Sequence, residues 1–345
     1  MKFESDRLES DGLLRSRPGP AAHRRLALAA LGSLGAAAAL GRAHAQTGPW
    51  PNRPVTIISP YNPGGTNDVP ARIYAEGFER LLGQRFIVRN QSGAAAILGS
   101  RTVMSAPADG YTLLSTNIGG MAVQSAARNP SPYHPLRHFT PIAKLVDSVN
   151  FVGVNAELPV NSVTELIALA KRQPGKLNFS SAGVGSYGHL MGELFKMLTE
   201  TDIVHVPGKG SADAVLEMKA GRIQLMFDPI VLPQSSDGRI KVLAVFNEQR
   251  MAQHPNIPTL SEAGAPDMPL DAWFGLFGPA GLPDEVVTRL ESAARAIAAE
   301  PEVRSKFQNL GLSPVMADAR EFRTRIEGSM KWISETVARA KISLE

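Results

Sequence analysis

The segment Ile57-Ile58-Ser59-Pro60-Tyr61-Asn62-Pro63-Gly64-Gly65-Thr66-Asn67-Asp68 constrains this chain more than any other. An apolar run, Val55 to Ile58, reads as a buried strand, and Val69 to Leu82 has the apolar spacing of a helix. The loop between them holds two Pro and two Gly. Gly64-Gly65 permits backbone conformations closed to other residues and a close approach to a ligand. Thr66, Asn67 and Asp68 are residue types favoured at a helix N-cap. A strand that turns through such a loop into a helix leaves backbone N–H groups unpaired at its tip. The helix dipole stands behind them, so the tip attracts an anion.

The same unit recurs along the chain. Phe86 to Arg89, Tyr111 to Leu114, Leu177 to Ser180, Ile203 to Val206, Ile223 to Phe227 and Ile240 to Phe246 read as strands. Ala94 to Ser105, Val163 to Gln173, Leu190 to Leu198 and Ser211 to Ala220 read as helices between them. Pro283 to Glu300, Pro301 to Leu310 and Ala319 to Ala340 add three amphipathic helices, two of them opening on a proline that a first turn tolerates. This alternation predicts an α/β protein with mainly parallel sheets. Phe139 to Val154 is extended and apolar and reads as a crossover into a second lobe, with Trp273 to Phe277 crossing back. Two crossovers between α/β halves make a hinge-linked, two-lobed molecule that closes a cleft on its ligand. The expected divisions are 46–148 plus 272–345 for the first lobe and 149–271 for the second.

The first 45 residues read as an export signal. Arg24-Arg25 supply positive charge, Leu26 to Leu40 is apolar, and Ala43-His44-Ala45 is an A-x-A pattern that places cleavage after Ala45. The apolar run is too short for a membrane span. Removing the seven basic and four acidic residues of this stretch from the chain's 36 and 32 leaves 29 and 28, a net charge of about +1. That balance gives no electrostatic reason to bind nucleic acid or an acidic membrane. An anionic ligand must be drawn by local dipoles. The chain has no cysteine, and its seven histidines are scattered, so no disulfide framework and no metal site is expected. No cofactor is expected either.

Two motifs suggest other chemistry and fail on context. Gly183-Val184-Gly185-Ser186-Tyr187-Gly188 fits the dinucleotide pattern G-x-G-x-x-G, but Asp202 lies too close and ahead of its strand to serve as the ribose acid. The run Val184 to Gly188 misses the first glycine of G-x-S-x-G, and the late histidine that its Ser–acid–His order needs could only be His254, which sits in a Pro-rich segment. Ser186 and His189 instead fall in the first turn of a helix facing the cleft. Asp228 directly follows an apolar strand and is expected to face the cleft, where it would meet an amine or hydroxyl of the ligand. Asp68 also suits a helix N-terminus. Lys209 is the one cationic side chain in these loops.

Read together, these motifs resemble the Bug-type substrate-binding proteins of tripartite tricarboxylate transporters. The resemblance starts at Arg53-Pro54-Val55-Thr56-Ile57-Ile58 with its Pro-Gly-Gly-x-x-Asp loop. It continues through Ala108-Asp109-Gly110-Tyr111-Thr112-Leu113-Leu114, Ser180 to Ser186 with His189-Leu190, and Val204-His205-Val206-Pro207-x-Lys209-Gly210. Leu225-Met226-Phe227-Asp228, Pro258-Thr259 with Glu262-Ala263-Gly264, and Trp273-Phe274-Gly275-Leu276 with Pro279-Ala280-Gly281 complete it. It implies a periplasmic, two-lobed binding protein of type II topology, monomeric and not an enzyme. Its expected ligand is a small carboxylate: an organic acid, an amino acid or an aromatic acid. Its expected partners are the membrane subunits of a transporter. By position the ligand loops are Tyr61, Gly64, Gly65, Thr66, Asn67 and Asp68, then Thr116 and Asn117. They continue with Ala182, Gly183, Ser186 and His189, and with Phe227 and Asp228. Gly208 stands where the family usually has an aromatic residue and Pro229 where it often has Asn. The alternatives are a ligand-sensing subunit of a signalling system on the same fold and, third, an exported hydrolase built on Ser186.

Overall fold

The computed structural model describes residues 49–266, 268, 272–315 and 318–340. The expected export signal, 1–45, lies outside the described residues. From Trp50 onward the chain forms one unit. It begins β1 (Val55–Ser59), α1 (Asp68–Leu82), β2 (Phe86–Asn90), α2 (Ile97–Met104), β3 (Thr112–Asn117) and β4 (Phe139–Ser148). There follow β5 (Phe151–Asn155), α3 (Val163–Arg172), β6 (Leu177–Ser181), α4 (Tyr187–Thr199), β7 (Ile203–Pro207), α5 (Ser211–Lys219), β8 (Leu225–Phe227) and β9 (Ile240–Val245). The chain ends with β10 (Trp273–Pro279), α6 (Asp284–Ala299), α7 (Pro301–Gln308), β11 (Leu312–Pro314) and α8 (Ala319–Ala340).

The strands form two sheets. One runs β11-β4-β10-β3-β1-β2 and the other β7-β6-β8-β5-β9. Both share an inner order, with the first parallel strand flanked by the next two and a strand from across the molecule beyond them. That repeated order is the expected type II arrangement. The expectation of mainly parallel sheets needs correction. β1 pairs in parallel with β2 and β3, and β6 with β7 and β8, but the other pairings are antiparallel. The reason is the crossovers: β5 and β10 each enter their sheet from the other lobe and therefore run against it.

Phe139 to Val154 also proves to be two strands. β4 ends at Ser148 in the first sheet and β5 starts at Phe151 in the second. A run apolar on both faces suits any strand buried under helices, so its composition does not reveal where it changes sheet. The helix expected from Ala94 begins only at Ile97, because Ala94, Ala95 and Ala96 have φ of 47°, 46° and 84°.

Local rules account for most helix ends. α1 buries Ala71, Tyr74, Ala75 and Phe78 and stops at Gly83, whose left-handed backbone directs its N–H to Glu79 O at 3.0 Å. Ser162 caps α3 by accepting from Glu165 N, and the Glu165 carboxylate accepts from Asn161 N at 2.7 Å. α7 opens on Pro301.

Tyr74, Phe78, Ile142, Leu290 and Phe307 form the core on one side of the first sheet. Phe151, Val215, Met218 and Met226 form one under the second. A third core runs across both, joining Phe179, Leu190 and Phe227 to Trp273, Phe277 and Phe322. The C-terminal helix α8 thus bridges the crossover strands, and Trp273 Nε1 donates to Ser329 Oγ at 3.0 Å.

Candidate functional site

Each strand–loop–helix unit is held by different chemistry. In the first, Asn67 occupies the N-cap position of α1, yet its backbone is helical and its side chain makes no cap bond. Asn67 Nδ2 donates instead to Ser59 Oγ at 3.0 Å and to Ser115 O at 2.9 Å, tying β1 to β3. Asp68 turns away from the cleft. Its carboxylate accepts from Gly64 N at 3.0 Å, Arg72 Nε at 2.8 Å and Asn90 Nδ2 at 2.7 Å. Burial pushes this carboxyl up, but the three donors and the Arg72 charge outweigh burial and hold it below its ordinary value.

In the second unit, Ser186 caps α4, its hydroxyl accepting from His189 N at 3.3 Å. The His189 side chain does not face the cleft. Its Nδ1 accepts from Gly185 N at 3.0 Å, and its ring stacks on His205 with centroids 3.8 Å apart. His205 Nε2 lies 2.8 Å from Ser181 Oγ, which also receives Gly183 N at 3.2 Å. Burial and neighbouring positive charge push His189 down to about 4 and His205 down to about 3. Both imidazoles are therefore neutral near pH 7, and together they brace the loop from below.

The third unit joins the lobes. Asp228, at the end of β8, accepts from Ser211 Oγ at 2.6 Å, Ile230 N at 2.9 Å and, from the first lobe, Thr66 Oγ1 at 2.7 Å. Burial raises its carboxyl, and these bonds only partly oppose the rise. Asn62 Nδ2 to Asp213 Oδ2 at 2.6 Å and Gln124 Nε2 to Val184 O at 3.1 Å also connect the lobes. Gly185 sits at this seam with φ +80°, and a Cβ there would lie 2.5 Å from Gln124 Nε2. Gly185, part of the glycine-rich turn before α4, therefore serves the close approach of the lobes.

Between the lobes lies a cavity of about 40 Å³. Of the expected residues, Tyr61, Gly65, Thr66, Asn67, Asn117, Ala182, Ser186 and Asp228 line it. Gly64, Asp68, Thr116, Gly183, His189 and Phe227 do not. Thr116 is buried, Phe227 belongs to the core, and Asp68 and His189 are turned into the bracing networks above.

The starts of α1, α4 and α5 all reach this cavity, through Gly65 to Asn67, Ser186 to Gly188 and Ser211. Backbone N–H groups of Gly65, Thr66, Gly188 and Ser211 make no hydrogen bond to another described residue, as expected of first-turn donors. Among the described residues no Lys or Arg lines the cavity.

Other lining residues were not foreseen. Ser148 and Asn150 come from the outward crossover, and Ala272, Trp273 and Phe274 from the return. The two crossovers thus form the back wall, a role that neither their extended pattern nor the Trp273-Phe274 motif announces. A larger groove of about 480 Å³ shares Tyr61 and Ala182 with the cavity and carries Gly183, Gly208, Lys209 and Arg128. The missing side chain at Gly208 has a local cause, since a Cβ there would lie 2.8 Å from Ser181 O.

With this geometry in place, comparison with known proteins is informative. Residues 70–343 match the model of the tripartite tricarboxylate transporter family receptor. BugT of Bordetella pertussis is 31% identical over 299 residues, covering 85% of this chain and 92% of that protein. The solved structure of R. palustris Rpa4515 with adipate superposes with a TM-score of 0.83 at 32% identity, covering 86% of this chain and 99% of that one. MatC of Rhodopseudomonas palustris with bound malate gives 0.80 at 27% identity, covering 84% of this chain and 100% of that one.

Proposed function

The chain belongs to the tripartite tricarboxylate transporter receptor family, and from that premise we propose that it is an exported solute-binding protein that captures a small carboxylate between its lobes. In this reading residues 1–45 direct export to the periplasm and are removed after Ala45. The lobes are 46–148 with 272–345 and 149–271. The loaded, monomeric protein delivers its ligand to the membrane subunits of a tripartite tricarboxylate-type transporter. The family is one of periplasmic receptors, and among the described residues no helix is long and apolar enough to cross a membrane.

One observation carries the reading: three helix starts meet in a single cavity with no cationic side chain among the described residues of its wall. A carboxylate there is held by amide donors and helix dipoles, each helix end contributing about 0.3–1 kcal/mol at an exposed site and more when partly buried. Hydrogen bonds to a charged acceptor are roughly twice as strong as neutral ones. Two of the similar solved structures hold adipate and malate, both carboxylates, which supports the same class here. Gly65, Thr66, Asn67, Asn117, Ala182, Ser186 and Asp228 are the proposed contacts, with Ser211, Asn150 and Ser148 added from the structure.

A hydrolase reading finds no support in the geometry. Ser186 Oγ is engaged by the His189 backbone N–H, and the His189 ring is engaged by Gly185.

Thermal-shift and calorimetric screening of the chain without residues 1–45 against organic acids tests the proposal. A ligand at one hundred times its Kd adds about 2.7 kcal/mol of apparent stability, a shift that such a screen resolves. Failure of every carboxylate to move the transition would end the reading.

A further inference from the structure

We infer that the captured carboxylate carries a hydrogen-bond donor, a hydroxyl or ammonium group, close to its acid group, and that Asn67 Oδ1 receives it. This rests on the carboxylate-binding reading above and goes further, because it selects among carboxylates.

Asn67 is 3% exposed and lines the cavity. Its amide orientation is fixed by chemistry. Ser115 O, at 2.9 Å, is a carbonyl and can only accept, so the amide nitrogen must be the atom that faces it. The oxygen is then left over, and Asn67 Oδ1 is buried without a partner. Folded proteins rarely leave a buried acceptor unanswered, and the exceptions call for a ligand, an ion or ordered water.

The other acceptor in the wall points the same way. Asp228 lines the cavity beside the Asn67 loop, linked to it through Thr66. Its Oδ1 takes Thr66 and Ile230, while Oδ2 takes only Ser211 and keeps a free lone pair. In the outward crossover Ser148 Oγ is likewise buried and unpartnered. The cavity therefore presents amide donors from three helix starts and, separately, acceptors at Asn67 and Asp228. A plain carboxylate answers the donors and leaves Asn67 Oδ1 orphaned. An acid with an adjacent hydroxyl or ammonium answers both.

Calorimetry with matched acids on the chain lacking residues 1–45 decides the matter. The hydroxyl pairs are propanoate with lactate, succinate with malate, and phenylacetate with mandelate. Alanine, aspartate and phenylglycine supply the ammonium arm. In every set that binds, the hydroxy or amino acid is expected to bind at least about tenfold tighter than its plain partner, because a site built for a donor rejects the analogue lacking it. Whichever arm shows the gain identifies the donor. Asn67→Ala is expected to weaken the hydroxy or amino acid more than its plain partner, reducing that gain to about threefold or less.

Equal affinities within each set would overturn the inference, since water would then be answering Asn67, and would leave the carboxylate reading standing. Equal weakening of both partners by Asn67→Ala would also overturn it, by showing that the side chain only braces its loop. Should that variant fail to fold, the matched sets on the unaltered protein decide alone. If no acid of any set binds, the carboxylate reading fails and this inference falls with it.

Discussion

The loop after β1 and the loop after β6 are the same device stabilised in two ways. Both carry a strand through a glycine-rich turn into a helix whose first residues reach the cavity. The first is pinned by a carboxylate, with Asp68 accepting from Gly64, Arg72 and Asn90. The second is pinned by two stacked neutral imidazoles, His189 and His205, with Ser181 between them and the turn. One brace needs a charge and the other needs charge to be absent. The two halves of one ligand site should therefore fail under different conditions, although their sequences look alike.

The largest effect is expected at the charged brace. Asp68→Ala removes the charged acceptor of three donors and leaves Arg72 with Asn90 Oδ1 alone, so it should destabilise the protein by about 3 kcal/mol in urea unfolding. A loss under about 1 kcal/mol would mean that the first loop is held by packing and that the comparison is misdrawn.

Next come the glycines, where the loops differ again. Gly185 has φ +80° and faces the Gln124 side chain, whereas a Cβ at Gly65 would meet only ordinary contacts, the nearest 3.6 Å away at Asn62 O. Gly185→Ala combines a left-handed alanine, costing about 1–2 kcal/mol, with a clash across the seam. It should weaken ligand binding by about thirtyfold and shift the solution-scattering profile toward an open form. Gly65→Ala should change stability by less than about 1 kcal/mol. Similar losses for the two variants would erase the distinction between a seam glycine and a loop glycine.

The smallest effect is the response to pH, and its sign separates the braces. His189 and His205 titrate below their unfolded value of 6.5, near 4 and 3. The unfolded chain thus binds protons first as pH falls, so their contribution is complete above about 6.5 and is lost progressively toward those values. Asp68 is depressed below 3.8, so its contribution persists until the pH drops beneath that value. Between pH 7 and 4.5 the second loop should loosen while the first holds. Tm should fall by roughly 5 °C, and hydrogen exchange should rise around Gly183–Gly188 before it rises around Gly64–Asp68. His189→Gln should flatten the dependence. Equal loosening of both loops in this range would count against neutral histidine as the brace.

How much of this was legible depended on the range of the signal. β1, α1, β6 and α4 were readable because apolar spacing and glycine punctuation act within a turn or two. The two-lobed plan was readable because two crossovers imply it. Strand direction was not, since β5 and β10 are antiparallel only by virtue of arriving from the opposite lobe. Among site residues, Gly65, Thr66, Asn117, Ala182, Ser186 and Asp228 were named from their loops and do line the cavity. Asp68 and His189 carry equally suggestive chemistry, but each rotates into a network whose partners, Asn90 and His205, lie outside its own motif. Ser148, Asn150, Trp273 and Phe274 were read as parts of crossovers and not as cavity wall, because a hinge residue becomes a wall only when both lobes are in place.

The residue order by itself determined the units: where strands give way to glycine-rich turns, which helix starts leave amides unpaired, and that the chain crosses over twice. Propensity and periodicity are short-range, and they suffice for that. Tertiary structure alone decided what those units surround. Thr66 meets Asp228 across 162 residues of sequence, and that contact joins the lobes beside Asn67, whose amide oxygen has no partner of its own. A local rule can make a donor available. Only packing brings donors and acceptors from separate lobes to one place and removes the water that would otherwise satisfy them.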